Sequence, residues 1–251
     1  MANQALVTIV TVCHNSAATI PPTIDSVLEQ DYGQVEYLVI DGASSDGTLD
    51  IAKDYRSRAG GRMRVVSEPD RGIYDAMNKG IVLSTGEILY FLNCGDRLAS
   101  PDVLSRVVTA FRGADCDFLY GNVHLTREDR VVERRVCGQV DKRYFLNAMI
   151  CHQAVFCRRW VFRRTGPFDA RLPNMADLDW MLRCFSDADV RCCYRDLDIA
   201  YYDYAGVTSM ASTGKRRYAE YRRIVFRHFS LPVALHHFGS RKLRSYLPTR
   251  G

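Results

Sequence analysis

Within the first hundred residues, apolar runs of strand length alternate with amphipathic stretches, and this alternation leaves few folds open. Leu6 to Val12 is rich in β-branched residues and ends at His14 and Asn15; Tyr37 to Ile40 ends on Asp41. Met63 to Val66 leads into a polar, glycine-broken loop, and Ile88 to Leu92 is followed by Asp96. Helices are expected between these runs, the first reaching about Gln30 with Pro21 and Pro22 in its first turn and Ile24, Val27 and Leu28 on one face. Others are expected from the Ser45 to Thr48 cap to about Tyr55, from Ile73 to Leu83 and from Pro101 to Phe111. Three strand–helix units in a row require right-handed crossovers and a parallel sheet. The fold class is α/β, a Rossmann-like and mostly parallel central sheet with helices on both faces. Such a sheet collects its ligand groups at the carboxyl ends of its strands.

The second half is less regular. Strands are expected near Phe118–Tyr120, Val131–Val136 and Val190–Tyr194, and a helix over Asp177–Phe185. A chain of 251 residues, 47% hydrophobic, suits one large domain with an appended tail, and no boundary is expected before about residue 210. No apolar stretch reaches the roughly 18 residues of a membrane span, and no basic region with an apolar core opens the chain, so a cytoplasmic location is expected. Nine cysteines, odd in number and without a Cys-x-x-Cys pair, suggest reduced thiols and not a zinc site or a disulfide framework. From Gly214 onward ten basic residues face one acid, Glu220; that tail carries +9 of a total of +5, which leaves −4 for the rest.

Four constellations carry candidate chemistry. Asp41, followed by Gly42-Ala-Ser-Ser-Asp-Gly47, either accepts hydrogen bonds from a base or ribose or serves the turn. In the run Ser67-Glu-Pro-Asp-Arg-Gly-Ile-Tyr-Asp-Ala-Met-Asn-Lys-Gly80, Ile73, Met77 and Ile81 suit a core. Asp70, Arg71, Asp75 and Asn78 remain for an anionic ligand at the helix N-terminus. Asn93-Cys-Gly-Asp96 offers a carboxylate and an amide to a divalent cation, either as ligands or as ordinary loop residues. Asp177 opens a helix, where it can act as a general base or as a cap. His152 precedes a β-like run and suits a structural role as well as a catalytic one.

Taken in order, these residues resemble the family 2 glycosyltransferases, inverting enzymes of the GT-A, nucleotide-diphospho-sugar transferase fold. The likeness covers about residues 6 to 210 and is nearest to bacterial exopolysaccharide enzymes of the colanic-acid-cluster type. It rests on Thr11-Val-Cys-His-Asn15, on Val39 to Thr48, and above all on Glu68 to Gly80. Phe91 to Asp96, His152 to Phe156, Asp177 and Ala205 to Ser209 support it. The resemblance implies a nucleotide-sugar half over about 1–100, an acceptor half over about 101–210, and a basic helical tail over 211–251. It implies that Thr11 and Asp41, with Asn15, Ser44 and Asn93, line a nucleotide-diphospho-sugar donor. Asp70, Arg71, Asp75 and Asn78 would follow the ribose and diphosphate, Asp96 with help from His152 would hold Mn²⁺ or Mg²⁺, and Asp177 would be the catalytic base. Two departures stand out: Asn93 and Gly95 replace acids of the usual metal motif, and Gly42 replaces a second acid after Asp41.

Lys215 to Phe229 places Tyr218, Tyr221, Ile224, Val225 and Phe229 at helical spacing among arginines. Such a helix either packs on the domain or lies on an anionic bilayer at the inner face of the plasma membrane, near a polyprenyl-diphosphate-linked saccharide acceptor. Nucleic acid is disfavoured, since the charge is confined to the tail and no recognition module is visible. The expected activity is an inverting sugar transfer in surface or exopolysaccharide synthesis. A non-catalytic sugar-nucleotide-binding scaffold is the alternative of another class. A sugar nucleotidyltransferase is less fitting, because Thr11 to Ala17 has no glycine. A processive synthase is disfavoured by the absence of spans and of a Gln-x-x-Arg-Trp motif.

Overall fold

The computed structural model describes residues 4–113, 115–128, 130–203 and 214–244. The first four strands are β1 (Val7–Cys13), β2 (Val35–Asp41), β3 (Met63–Ser67) and β4 (Ile88–Phe91). They pair in parallel in the order β3-β2-β1-β4, with crossovers through α1 (Ile20–Leu28), α2 (Thr48–Arg58) and α3 (Ile73–Leu83). The sheet continues through β5 (Arg97–Leu98), β6 (Phe118–Arg127), β7 (Arg130–Arg135), β8 (Val155–Arg158) and β9 (Cys192–Asp203). Beyond β4 the order is β8-β6-β9-β5, with β7 pairing on β6. β8 is antiparallel to β4 and β6, β7 to β6 and β5 to β9, while β6 and β9 are parallel. Strands β1, β2, β3, β4, β6 and β9 therefore share one direction.

Both faces of the sheet are covered, so the central strands are buried on both sides and read as unbroken apolar runs. One face packs Ile9, Tyr37 and Tyr90 under α1, α2 and α4 (Val103–Gly113). The other packs Val10, Leu38 and Leu89 under α3, α5 (Arg159–Thr165) and α6 (Ala176–Cys184). Helix α3 lies close on β1 because Gly80 carries no side chain: a Cβ there would stand 2.4 Å from Val10 Cγ1. All nine cysteines are free thiols.

The tail forms α7 (Gly214–His228) and α8 (Leu231–Arg244). Part of α7 packs on the domain, one of the two readings of residues 215–229. Ile224 and Val225 are fully buried, and Tyr221 and Phe229 pack with Ile224 against the core beneath α6. Tyr221 donates to the Leu146 carbonyl at 2.5 Å, and the Glu220 carboxylate accepts from Asn174 N at 3.0 Å and Asn174 Nδ2 at 2.5 Å. Asp179 of α6, 2% exposed, meets Arg227 Nη1 and His228 Nε2 at 2.9 Å each and Arg183 Nε at 3.2 Å. Ile224, Val225, Tyr221 and Phe229 are thus taken up within the molecule, while Tyr218 and Phe226 of the same helix stay exposed.

Asp179→Asn is expected to destabilise the fold by about 2 kcal/mol, because a buried carboxylate that accepts hydrogen bonds from Arg227, His228 and Arg183 loses its charge. Burial alone would raise the Asp179 pKa, but His228, Arg183 and Arg227 outweigh it and hold the carboxyl below its ordinary value. Its contribution is complete above the unfolded value of about 4 and is lost as pH falls through the lower folded value. Urea denaturation as a function of pH checks this: the deficit of the variant should be full at neutral pH and should shrink in acid.

Candidate active site

The carboxyl ends of β1 to β4 converge on the loops that carry the candidate residues. Asp41 closes β2 with no exposed surface. Its carboxylate accepts from Ser44 N at 3.1 Å, Ser44 Oγ at 2.5 Å and Ser67 Oγ at 2.6 Å. Ser44 Oγ accepts from Asn15 N at 2.8 Å, and Asn15 Oδ1 accepts from Ser45 N at 2.9 Å. Asp41, Ser44 and Asn15 are therefore brought together, with Ser67, as a knot that shapes the loops. Thr11 is not part of the cleft: fully buried, it accepts from the Tyr37 hydroxyl at 3.0 Å on the α1 and α2 face.

Gly42 explains one departure from the family pattern. A Cβ there would stand 2.3 Å from Asp70 Oδ2 and 3.4 Å from His14 Nδ1. The missing second acid thus leaves room for Asp70, which reaches across from the loop before α3. Asp70 Oδ1 also accepts from Gly72 N at 2.8 Å, where the N-cap Gly72 takes φ 119°, a value that favours glycine. Asp75 Oδ2 accepts from Arg71 N at 3.1 Å, so Asp75 closes this turn, while the Arg71 side chain is exposed at the helix N-terminus. Asn78 is engaged by the chain itself. Its Nδ2 donates to the Phe168 carbonyl and its Oδ1 accepts from Phe168 N, both at 2.9 Å, so its amide serves packing.

The second cluster joins β4, the segment before β8 and α6. Asn93 Nδ2 contacts His152 Nε2 at 2.8 Å, His152 Nδ1 lies 3.5 Å from Asp177 Oδ2, and the Tyr74 hydroxyl donates to Asp177 Oδ1 at 2.8 Å. Both ring nitrogens of His152 have neighbours in this structure, Nε2 meeting Asn93 and Nδ1 meeting Asp177. Asp96 is 4% exposed and accepts from Gln153 Nε2 at 2.9 Å and Asp203 N at 3.1 Å. Burial pushes its carboxyl up to about 7 in spite of Gln153, His152 and the Asp203 N–H. Asn93 Oδ1 is buried without a hydrogen-bond partner.

Sequence reasoning missed Tyr74, Gln153 and Ser67. Each lies inside or beside a quoted motif, yet only the fold brings it to a carboxylate. The Ala205 to Ser209 motif lies outside the described residues. Among the described residues, no group of three or more His, Cys, Asp or Glu side chains is placed to hold a metal ion.

A mostly parallel sheet covered by helices on both faces in this strand order is the fold of the GT-A glycosyltransferases. S. aureus TarS 1-349 in complex with UDP-GlcNAc matches with a TM-score of 0.75 over 98% of this chain and 74% of that one, at 17% identity. In S. aureus TarS itself the match spans 44% of that chain, with a TM-score of 0.71 and 15% identity. The mannosyltransferase PcManGT from Pyrobaculum calidifontis, in complex with GDP-Man and Mn²⁺, matches with a TM-score of 0.70 over 93% of this chain and 68% of its own, at 17% identity. At such identities the likeness concerns the fold. In sequence, a PGL/p-HBAD biosynthesis glycosyltransferase of Mycobacterium tuberculosis is 38% identical over 195 residues, 76% of this chain and 74% of that protein. The profile of glycosyl transferase family 2 matches residues 8–168. The chain belongs to this family and is a glycosyltransferase.

Proposed function

We propose that the protein moves a sugar from a nucleotide-diphospho-sugar donor to a hydroxyl of a saccharide acceptor with inversion at the anomeric carbon. The observation that carries this reading is Asp177, a buried carboxylate held at the start of α6 by Tyr74 from the motif that would bind the diphosphate. Asp177 Oδ1 also accepts from Leu178 N at 2.9 Å, which leaves Oδ2 to take the acceptor proton. The acceptor oxygen then bonds to the anomeric carbon as the bond to the diphosphate breaks. One displacement inverts the centre and releases a nucleoside diphosphate.

The donor set fits a divalent cation: Asp96, a buried carboxylate with raised proton affinity, and Asn93 Oδ1, a buried acceptor without a partner. Diphosphate oxygens would complete a hard-ion shell. Mn²⁺ or Mg²⁺, when bound there, supplies charge neutralisation at the leaving diphosphate. Asp70 and Arg71 would follow the diphosphate from the loop before α3.

For the acceptor we infer a polyprenyl-diphosphate-linked saccharide of surface or exopolysaccharide synthesis, used at the inner face of the plasma membrane. A PGL/p-HBAD-type product is the second reading, favoured by the 38% relative. Support for a membrane-side acceptor comes from the outer face of the tail. Tyr218, Phe226, Leu231 and Leu235 are exposed, 39–61%, beside the exposed Lys215, Arg222 and Arg223. Phe238 joins the two helices there, with ring centroids 5.6 Å from Phe226 and 6.3 Å from Tyr218. No helix among the described residues is long and apolar enough to cross a membrane. An anionic bilayer suits this surface.

Vesicle flotation checks the membrane reading. Binding should require anionic lipid, weaken with salt, and weaken further on replacing Arg222 and Arg223 by Glu; equal binding to neutral vesicles would contradict it. The transfer reading is checked by incubating the protein with UDP-, GDP- and dTDP-sugars and a bacterial lipid extract. Release of one nucleoside diphosphate, dependent on extract and abolished by EDTA, is expected. Release of nucleoside monophosphate or pyrophosphate instead would overturn it.

A further inference from the structure

Tyr74 lies in the first turn of α3, and 103 residues separate it from Asp177 in sequence. Its ring is 5% exposed and tilts against Phe168 with centroids 5.6 Å apart. A buried tyrosine hydroxyl ordinarily finds a hydrogen-bond partner. Here that partner is the one carboxylate assigned to proton transfer.

We propose that Tyr74 is the positioning residue of the Asp177 base and ties it to the donor-binding end of α3. The proposal rests on the reading of Asp177 as base, and the geometry supports it in three ways. First, the Tyr74 hydroxyl and Leu178 N both donate to Oδ1, so two donors from two elements fix the plane of the carboxylate. Second, this leaves Oδ2, facing His152 Nδ1 at 3.5 Å, as the less encumbered oxygen. Third, α3 also holds the segment leading to α6, since Asn78 clamps both backbone atoms of Phe168 and Phe168 packs on Tyr74. Tyr74 and Asn78, one turn apart, therefore fix the base from the helix whose N-terminus carries Arg71. Burial, with the Asp177 charge added, keeps the phenol pKa well above its ordinary value, so the hydroxyl stays a donor.

The test is a double-mutant cycle on turnover with a radiolabelled donor, run long enough to register residual activity in slow variants. Tyr74→Phe keeps the ring and its contact with Phe168, so the thermal midpoint should change little. Its kcat should fall roughly 10- to 100-fold, the range for a hydrogen bond to a charged group, with donor KM and nucleotide affinity unchanged. In the Asp177→Asn background the same change should cost less than about 2-fold, because the charge it positions is gone. Equal fold losses in both backgrounds, or full kcat in Tyr74→Phe, would overturn the positioning role and leave Asp177 as base. Full turnover by Asp177→Asn alone would instead remove the base, and the proposal with it.

Discussion

Asp177→Asn is expected to lower kcat by a factor on the order of 10² to 10⁴, the usual contribution of a positioned general base, while nucleotide binding stays at the level of the unaltered protein. The substitution is nearly isosteric, and the asparagine oxygen still accepts from the Tyr74 hydroxyl and Leu178 N, which both bond Oδ1. Only the oxygen facing His152 becomes an amide nitrogen that cannot take a proton. The hydrogen bonds of the Asp41, Ser44 and Ser67 knot do not involve Asp177, so the loops proposed to hold the nucleoside keep them. Steady-state kinetics beside nucleotide calorimetry separates the two effects. A fall in affinity with kcat preserved would assign Asp177 to the donor and not to proton transfer.

Asp96→Asn should act on the other half of the reaction. It removes the one carboxylate after β4, and its amide would aim an N–H at Gln153 Nε2 or Asp203 N, which are both donors. Charge stabilisation by a bound ion is worth several kcal/mol, so turnover should fall by roughly 100-fold or more. The sharper signature is in binding. Added Mn²⁺ should strengthen nucleotide affinity in the unaltered protein and should no longer do so in the variant. Calorimetric titrations with and without Mn²⁺ measure this directly, and an undiminished metal effect in Asp96→Asn would place the ion elsewhere.

The first half of the fold was legible because its signals are local. β-branched runs bounded by polar residues mark β1 to β4, and the expected α3 matches Ile73–Leu83. The same burial hid which side of a strand each residue faces. β1 is covered on both faces, so alternation cannot show that Thr11 points to the Tyr37 side and away from the cleft. The second half failed for a different reason. β9 was expected only near 190–194, yet it runs to Asp203. Arg195, Asp196 and Asp198 break its apolar pattern, and the two aspartates find partners across the sheet in Asn122 and Arg134.

Site residues divide along similar lines. Asp41, Asp96 and Asp177 stand at element ends, where sequence alone marks them. Asn78 and His152 look like ligand groups by type, and only long-range packing gives one the Phe168 backbone and the other Asp177. In α7, apolar residues occur on several sides, so the sequence could not say which face is buried. Asp179 and Asn174 decide it by holding Arg227, His228 and Glu220.

A donor site shared by nucleotide and metal is the central requirement of the proposed transfer. Calorimetric binding of UDP, GDP and dTDP to the purified protein, with and without Mn²⁺, tests it in one experiment. One of the three should bind with a clear preference and at least about tenfold tighter with the ion, a gain of roughly 1.4 kcal/mol. Absence of binding by all three to folded protein, with and without Mn²⁺, would contradict it.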